Sequence, residues 1–273
     1  MKTLNVVITG GAGRIAYSLI PLILNGLVFG LETRIILRLL DIPIATERLH
    51  GVVMEVEDSG YDLLDKIVAT TDPDEAFVDA EVVVMLGGIP RLAGMERKDL
   101  LIQNAECIQN QARSLNKFGN AHTKVLVVAN PANTNALVAI KSAPNIPPEN
   151  FTCLTRLDQE RLRHFCAHRV SAHSHTHVRN RDVHDVYIWG NHSTTQVAHI
   201  DEGVYVDSEG VRHRVSETLS HGEYEGILRK VQHRGGEIIK ALGVSIRVNA
   251  ACICILQFIF DLCAMMYLLC IIL

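Results

Sequence analysis

The feature that most constrains the fold is an alternation of continuous, mostly apolar runs with helical patterns, which begins at the first residues. The apolar runs lie at 4–9, 34–41, 67–69, 82–86 and 124–129, and the helical patterns at 13–25, 46–58 and 98–118. Strands that are apolar on both faces belong to a parallel sheet that helices cover on both sides. The sequence therefore predicts an α/β fold built on a doubly wound parallel sheet.

The pattern changes after about residue 150. The later sequence predicts strands at 151–155 and 183–189, helices at 157–169 and 223–242, and a hairpin at 204–215 that turns at Asp207–Gly210. This mixture indicates a second, mixed α+β domain. We expect a cofactor domain at 1–150, a substrate domain at 151–245, and a hydrophobic tail at 246–273.

Composition excludes several classes of protein. The formal net charge is −4, so the chain lacks the excess of basic residues that is typical of nucleic-acid-binding proteins. We expect no secretory signal, because the start of the chain leads directly into a strand. Cys107, Cys153 and Cys166 stand singly in the main body without a C-x-x-C pair. That usage favours a reducing, cytoplasmic compartment.

A glycine-rich turn, Thr9–Ala16 (TGGAGRIA), follows the first strand and opens the first helix. Its glycines permit a tight turn and let the backbone approach a pyrophosphate at the helix N-terminus. Asp41 ends the next strand, where an acid binds a ribose 2′-hydroxyl and repels a 2′-phosphate. The sequence therefore predicts a Rossmann-type NAD site that includes Gly10, Gly13, Arg14, Ile15 and Asp41.

Extended short-chain dehydrogenases carry a similar turn, but they need a Tyr-x-x-x-Lys pair for catalysis. No lysine stands four residues after Tyr17, Tyr61, Tyr187, Tyr205 or Tyr224. The sequence excludes that alternative.

Side chains that could bind or deprotonate a hydroxy-acid substrate occur at two places in the sequence. Arg91 and Arg97 flank a glycine in a loop after the strand at 82–86, and guanidinium groups bind carboxylates in a bidentate manner. Further on, His192 could act as a base that Asp158 orients, with Arg161 gripping the substrate. From the residues alone, however, solvated arginines and a structural histidine fit at least as well.

Several sequence runs carry a resemblance to a known family, among them TGGAGRIA (9–16), GMERKDLL (94–101), NPANTN (130–135), TRLD (155–158) and IWGNHS (188–193). From residue 4 to about 245, the chain resembles the cytosolic-type malate dehydrogenases of the lactate/malate dehydrogenase superfamily. The resemblance implies reversible NAD-dependent oxidation of L-malate to oxaloacetate. It also implies a cytoplasmic homodimer and no metal.

The resemblance also implies roles for individual residues. His192 is the proton acceptor and Asp158 its partner. The residues that bind or orient the dicarboxylate are Arg91, Arg97, Asn130 and Arg161. The further residues that touch the cofactor are Asn104, Gln111 and Val128.

Two positions bear on specificity and cofactor binding. Lactate dehydrogenases carry an uncharged residue at the position of Arg91, so a cation there favours a second carboxylate over a methyl group. Leu92 departs from the family, whose members usually carry a second basic residue there. Arg14 replaces an uncharged residue of the family beside the pyrophosphate, which suggests stronger phosphate binding.

Two segments depart from the family pattern. A histidine-rich stretch between Arg161 and His192 resembles an exposed insertion, and zinc binding is the alternative. The tail after Ser245 is mostly apolar. Because the family pattern stops there, we expect the second domain to be truncated. The tail has three interpretations. It could be translated from the wrong reading frame, which we favour, or it could form a helix that replaces the missing ones. It could also anchor the chain in a membrane through 248–273, but the acidic Asp261 near the middle of that segment argues against an anchor. The alternative is therefore that the chain is a catalytically inactive homologue that binds NAD. If the tail is a membrane anchor, this homologue would be attached to a membrane.

Overall fold

The computed structural model describes residues 1–89, 97–154, 156–190 and 192–242. Arg91, Leu92, the side chain of Arg97, and the tail at 246–273 lie outside the described residues. The chain divides into two compact units, Met1–Leu154 and Thr155–Ser245. The domain limits expected from the sequence stay a prediction, and each unit is described separately below.

The first unit is built on a six-stranded parallel sheet in the order β3-β2-β1-β4-β5-β6. Its strands are β1 (Lys2–Thr9), β2 (Thr33–Leu40), β3 (Leu64–Thr70), β4 (Val82–Met85), β5 (Lys124–Val127) and β6 (Phe151–Cys153). The chain order reverses between β1 and β4, and ligands bind at the carboxyl ends of strands beside such a reversal. The predicted doubly wound parallel sheet is confirmed.

Helices cover both faces of this sheet. They are α1 (Arg14–Leu24), α2 (Thr46–Asp58), α3 (Pro73–Ala76), α4 (Arg97–Phe118) and α5 (Ala132–Ser142). Successive β1 side chains enter different cores: Val6 and Ile8 pack in a cluster with residues of α1 and α2, and Val7 packs in another with residues of α4 and α5. This alternation follows from the two-residue period of a strand. It explains why the strands are apolar on both faces.

The second unit is a mixed α+β structure, as predicted. Its elements are α6 (Arg156–Ser174), β7 (Val183–His184), β8 (Tyr187–Trp189), β9 (Val197–His199), β10 (Val204–Val206), β11 (Arg212–Arg214), α7 (Val215–Thr218) and α8 (His221–Leu242). The hairpin of β10 and β11 is antiparallel and turns at the expected residues. Of the described helices in the whole chain, none combines the length and apolar character needed to cross a membrane.

The single strand expected at 183–189 was wrong. β7 pairs with β10, whereas β8 pairs with β9 in a separate two-stranded sheet. Asp185 lies between them with a φ of 56°. This left-handed conformation is incompatible with a continuous strand, so the run divides there.

Candidate active site

The glycine-rich turn between β1 and α1 leaves no room for a side chain at Gly10 or Gly13. Gly10 has a φ of +69°, and a Cβ there would lie 2.8 Å from the Cα of Gly87, which follows β4. A Cβ at Gly13 would lie 2.9 Å from the Gly10 carbonyl oxygen. Because these neighbours are backbone atoms, they cannot yield as a flexible side chain would. The turn is therefore a cradle of bare backbone at the start of α1.

Asp41 is fixed against this turn. Its Oδ2 accepts a hydrogen bond of 2.9 Å from the Ala12 N–H, and its Oδ1 accepts one of 2.8 Å from the Ile42 N–H. The ribose role of Asp41 stays a prediction, whereas the structure shows that the carboxylate closes the turn. Its remaining lone pairs suit a diol.

The cradle fits a dinucleotide. The first N–H groups of α1 have no acceptor within the helix and favour an anion. Arg14, the first residue of α1, is exposed, and Ile15 beside it is half-buried. A pyrophosphate at this turn would meet backbone donors and one cation.

Residues of α4 and of the segment after β5 lie at the same sheet edge. Asn104 is buried and hydrogen-bonds to the backbone of Ile89 and Asn130, Val128 is buried, and Asn130 is exposed. Gln111 donates to the Cys107 sulfur at 3.4 Å. Burial and then the Asp41 charge raise the pKa of the Cys107 thiol, which keeps it protonated and unreactive.

The second unit brings together three of the predicted residues. Asp158 Oδ2 is hydrogen-bonded to the Nδ1 atom of His192, and its Oδ1 accepts a 2.7 Å bond from Arg161 Nη1. Asp158 and Arg161 are buried, whereas the His192 side chain is 45% exposed. One buried carboxylate thus contacts both the imidazole and the guanidinium.

Local structure explains this arrangement. Asp158 and Arg161 are three residues apart on α6, so they share one face of the helix. Gly190, with a φ of +90°, turns the chain immediately after β8 and before His192. Gln159 on α6 donates a 2.9 Å hydrogen bond to the Val186 carbonyl oxygen just before β8, which ties the strand to the helix.

Sequence reasoning missed several polar contacts around these residues. A Cβ at Gly235 of α8 would lie 3.6 Å from Arg161 Nη1, so the guanidinium packs on bare helix backbone. Glu160 Oε1 accepts from Arg156 and Arg163, each at 3.1 Å. The Thr9 hydroxyl accepts a 3.1 Å bond from the Gly87 N–H across two strand ends. The pairs of Glu160 have the three- and four-residue spacing of one helix face, so the sequence could have shown them. The contacts of Arg161 with Gly235 and of Thr9 with Gly87 join distant residues and have no local sequence signal.

The histidine-rich stretch is largely helical, because α6 continues to Ser174 instead of ending near residue 169. His164 and His168 lie on this helix with ring centroids 6.4 Å apart. Within the part of the chain that the structure describes, no three His, Cys, Asp or Glu side chains form a group that could hold a metal.

Comparison with known proteins identifies the family. The NAD-binding domain of lactate/malate dehydrogenases matches residues 4–152, and the α/β C-terminal domain of the same family matches residues 155–265. The chain belongs to the lactate/malate dehydrogenase family. The second match runs past Ser245, so similarity to the family continues into the segment that was predicted to be a non-family tail.

Individual relatives agree with this assignment. The chain is 44% identical over 252 residues to the cytoplasmic malate dehydrogenase of Zea mays, covering 92% of this chain and 74% of the relative. The malate dehydrogenase structure of Naegleria fowleri superposes with a TM-score of 0.84 at 35% identity, covering 95% of this chain and 77% of that one. The resemblance to cytosolic-type malate dehydrogenases is confirmed.

A lactate dehydrogenase is equally similar in structure. The enzyme of Trichomonas vaginalis, solved with NADH and oxamate, gives a TM-score of 0.85 at 34% identity, covering 94% of this chain and 76% of that one. The fold therefore does not distinguish a malate dehydrogenase from a lactate dehydrogenase.

Proposed function

We propose that this family member catalyses the reversible NAD-dependent oxidation of L-malate to oxaloacetate. Malate and NAD⁺ give oxaloacetate, NADH and one proton. The observation that carries the proposal is Asp158, which contacts both His192 and Arg161. A base and a carboxylate-binding cation on one buried anchor are what oxidation of a hydroxy acid requires.

Each of the residues involved has a separate role in this reaction. Asp158 accepts the Nδ1 proton of His192, which leaves the Nε2 lone pair free to take the proton of the substrate hydroxyl. Arg161 binds the carboxylate beside that hydroxyl, and Asn130 orients the substrate. The chemistry that NAD supplies when bound is acceptance of a hydride at its nicotinamide ring. Gly10, Gly13, Arg14, Ile15, Asp41 and Val128 would hold it.

Arg91 supports malate over lactate as the substrate. Malate carries a second carboxylate where lactate carries a methyl group, and an unpaired cation disfavours the methyl group. We assign Arg97 to the same carboxylate-binding set. We also propose a cytoplasmic homodimer, in keeping with the name of the maize relative and with the family resemblance.

Two separate measurements test the proposal. Oxidation of NADH is followed by its absorbance with and without oxaloacetate, and NADH binding is followed by nicotinamide fluorescence. We expect oxaloacetate-dependent oxidation and saturable binding. Absence of oxaloacetate-dependent oxidation would overturn the proposal, and saturable NADH binding without turnover would favour the inactive, NAD-binding homologue.

A further inference from the structure

Asn104 on α4 links two segments that follow neighbouring strands. Its Oδ1 accepts a 2.7 Å hydrogen bond from the Ile89 N–H, which lies beyond β4. Its Nδ2 donates to the Ile89 carbonyl oxygen at 3.2 Å and to the Asn130 carbonyl oxygen, beyond β5, at 2.8 Å. Both amide protons are therefore used, and the residue is only 2% exposed. Asn104 has no donor left for a ligand.

A second buried amide acts on the adjacent peptide. Asn135 on α5 is fully buried, and its Nδ2 donates a 2.9 Å hydrogen bond to the Ala129 carbonyl oxygen. The carbonyl groups of Ala129 and Asn130, two consecutive residues, are thus each held by a buried asparagine. Asn130 itself is exposed. Its backbone is fixed from the protein interior, while its side chain remains available outside.

We propose that Asn104 is a positioning residue that acts through Asn130, with Asn135 supporting the same segment. Beyond Val127 the chain has left the ladder of β5, so its carbonyl groups need other partners to stay in place. Two buried side-chain amides supply them. The inference differs from the direct cofactor contact that the family resemblance implied for Asn104. It rests on the proposed function, in which Asn130 orients the substrate.

The first test is Asn104→Ala, with Asn150→Ala as a matched control. Asn150 is also a buried amide of the first unit, and it binds the Ala121 carbonyl oxygen at 2.8 Å and Lys124 Nζ at 2.5 Å. Lys124 begins β5, so this contact lies at the amino ends of the strands, whereas Asn104 binds segments beyond their carboxyl ends. For Asn104→Ala we expect kcat/KM for oxaloacetate to fall about 10- to 100-fold, with an NADH Kd within about 3-fold of the wild type. Asn150→Ala should retain kcat/KM.

The decisive test repeats Asn104→Ala in an Asn130→Ala background. If Asn104 acts through Asn130, the second substitution lowers kcat/KM by less than about 3-fold further. Effects that multiply, or an NADH Kd that rises as much as kcat/KM falls, would overturn the positioning role. Asn104→Ser, which keeps one donor, takes the place of Asn104→Ala should the latter not fold. It should retain more activity than the alanine variant where both fold.

The wild-type assay separates the two proposals. If the wild type does not oxidise NADH with oxaloacetate, the proposed function fails and the positioning role fails with it. If the wild type is active and the two asparagine substitutions act independently, only the positioning role is overturned.

Discussion

Asp158 is the residue on which the second unit's chemistry depends. It is 3% exposed and gives one oxygen to His192 and the other to Arg161. A buried carboxylate is stable only when charged or polar partners satisfy it, and these two groups do so. The same contacts orient the base and the substrate-binding cation. Structural stability and the proposed catalysis therefore depend on one side chain.

The first prediction concerns the base. His192→Asn should lower kcat by about 10²- to 10⁴-fold, because general base catalysis contributes that much, while the NADH Kd stays near the wild-type value. Steady-state kinetics and nicotinamide fluorescence measure the two quantities. His213→Asn is the matched control, since His213 also binds a carboxylate, Asp207 Oδ2 at 2.7 Å. Wild-type kcat in His192→Asn would show that another group takes the proton.

The second prediction concerns specificity. Arg91→Gln removes the cation that we assign to the second carboxylate of malate. Losing one partner of a desolvated charged pair costs about 2–5 kcal/mol, or roughly 30- to several-thousand-fold in kcat/KM. We expect such a loss with oxaloacetate and a smaller change with pyruvate, both measured by NADH oxidation. An unchanged ratio between the two substrates would remove Arg91 as the discriminating residue.

At the scale of elements, the turn between β10 and β11 depends on Asp207. Its Oδ1 accepts hydrogen bonds from the Glu209 and Val211 N–H groups, each 2.9 Å long, while its Oδ2 contacts His213 on β11. The His213 ring, and then the Val211 N–H, lower the pKa of Asp207 below its usual value. The ionised carboxylate thus stabilises the hairpin.

The third prediction follows from the sign of that shift. A carboxyl group whose pKa is depressed by folding stabilises the protein above its unfolded pKa of about 4, and this contribution is lost as pH falls through the folded pKa. Asp207→Asn should therefore lower Tm at pH 7 by a few degrees, with the difference from wild type shrinking below about pH 4. Glu209→Gln, an exposed change in the same turn, should leave Tm unchanged at both pH values. A Tm difference independent of pH would contradict the assignment.

At the scale of the whole molecule, each unit has its own core. The two clusters that cover the sheet contain residues of 4–154 alone, and the third cluster contains residues of 162–231. β6 matters for the first unit, because Phe151 and Cys153 are buried against β5 and α5. The sheet is therefore complete only when residues 151–153 are included.

The fourth prediction is that residues 1–154 fold independently and bind NADH with a Kd within about 10-fold of that of the full chain. A fragment of residues 1–150 should be less stable, because it loses β6 and the burial of Phe151, worth about 1.5–3 kcal/mol. Thermal unfolding and nicotinamide fluorescence compare the two fragments. An unfolded 1–154 fragment would mean that the first unit needs residues beyond Leu154.

Much of the first unit could be predicted from sequence because its signals are local. Apolar runs predict buried strands, the glycines of Thr9–Ala16 predict a turn that excludes side chains, and Asp41 is recognisable because it ends the next strand. In the structure Asp41 directly follows β2, which ends at Leu40. In each case the information lies within a few consecutive residues, where backbone geometry imposes a period or a conformation. The helix α5 was missed, since it follows the NPANTN segment without a clear amphipathic period.

Tertiary structure decided what no local pattern encodes. The division of residues 183–189 between two sheets depends on the backbone conformation of Asp185. The contacts of Asn104 with Asn130 and of Asp158 with His192 join residues 26 and 34 positions apart. Only the folded chain brings such groups within hydrogen-bonding distance, because their separation in space is set by the packing of whole elements. The sequence thus determined which chemical groups are present, and the fold determined that Asp158 serves both His192 and Arg161.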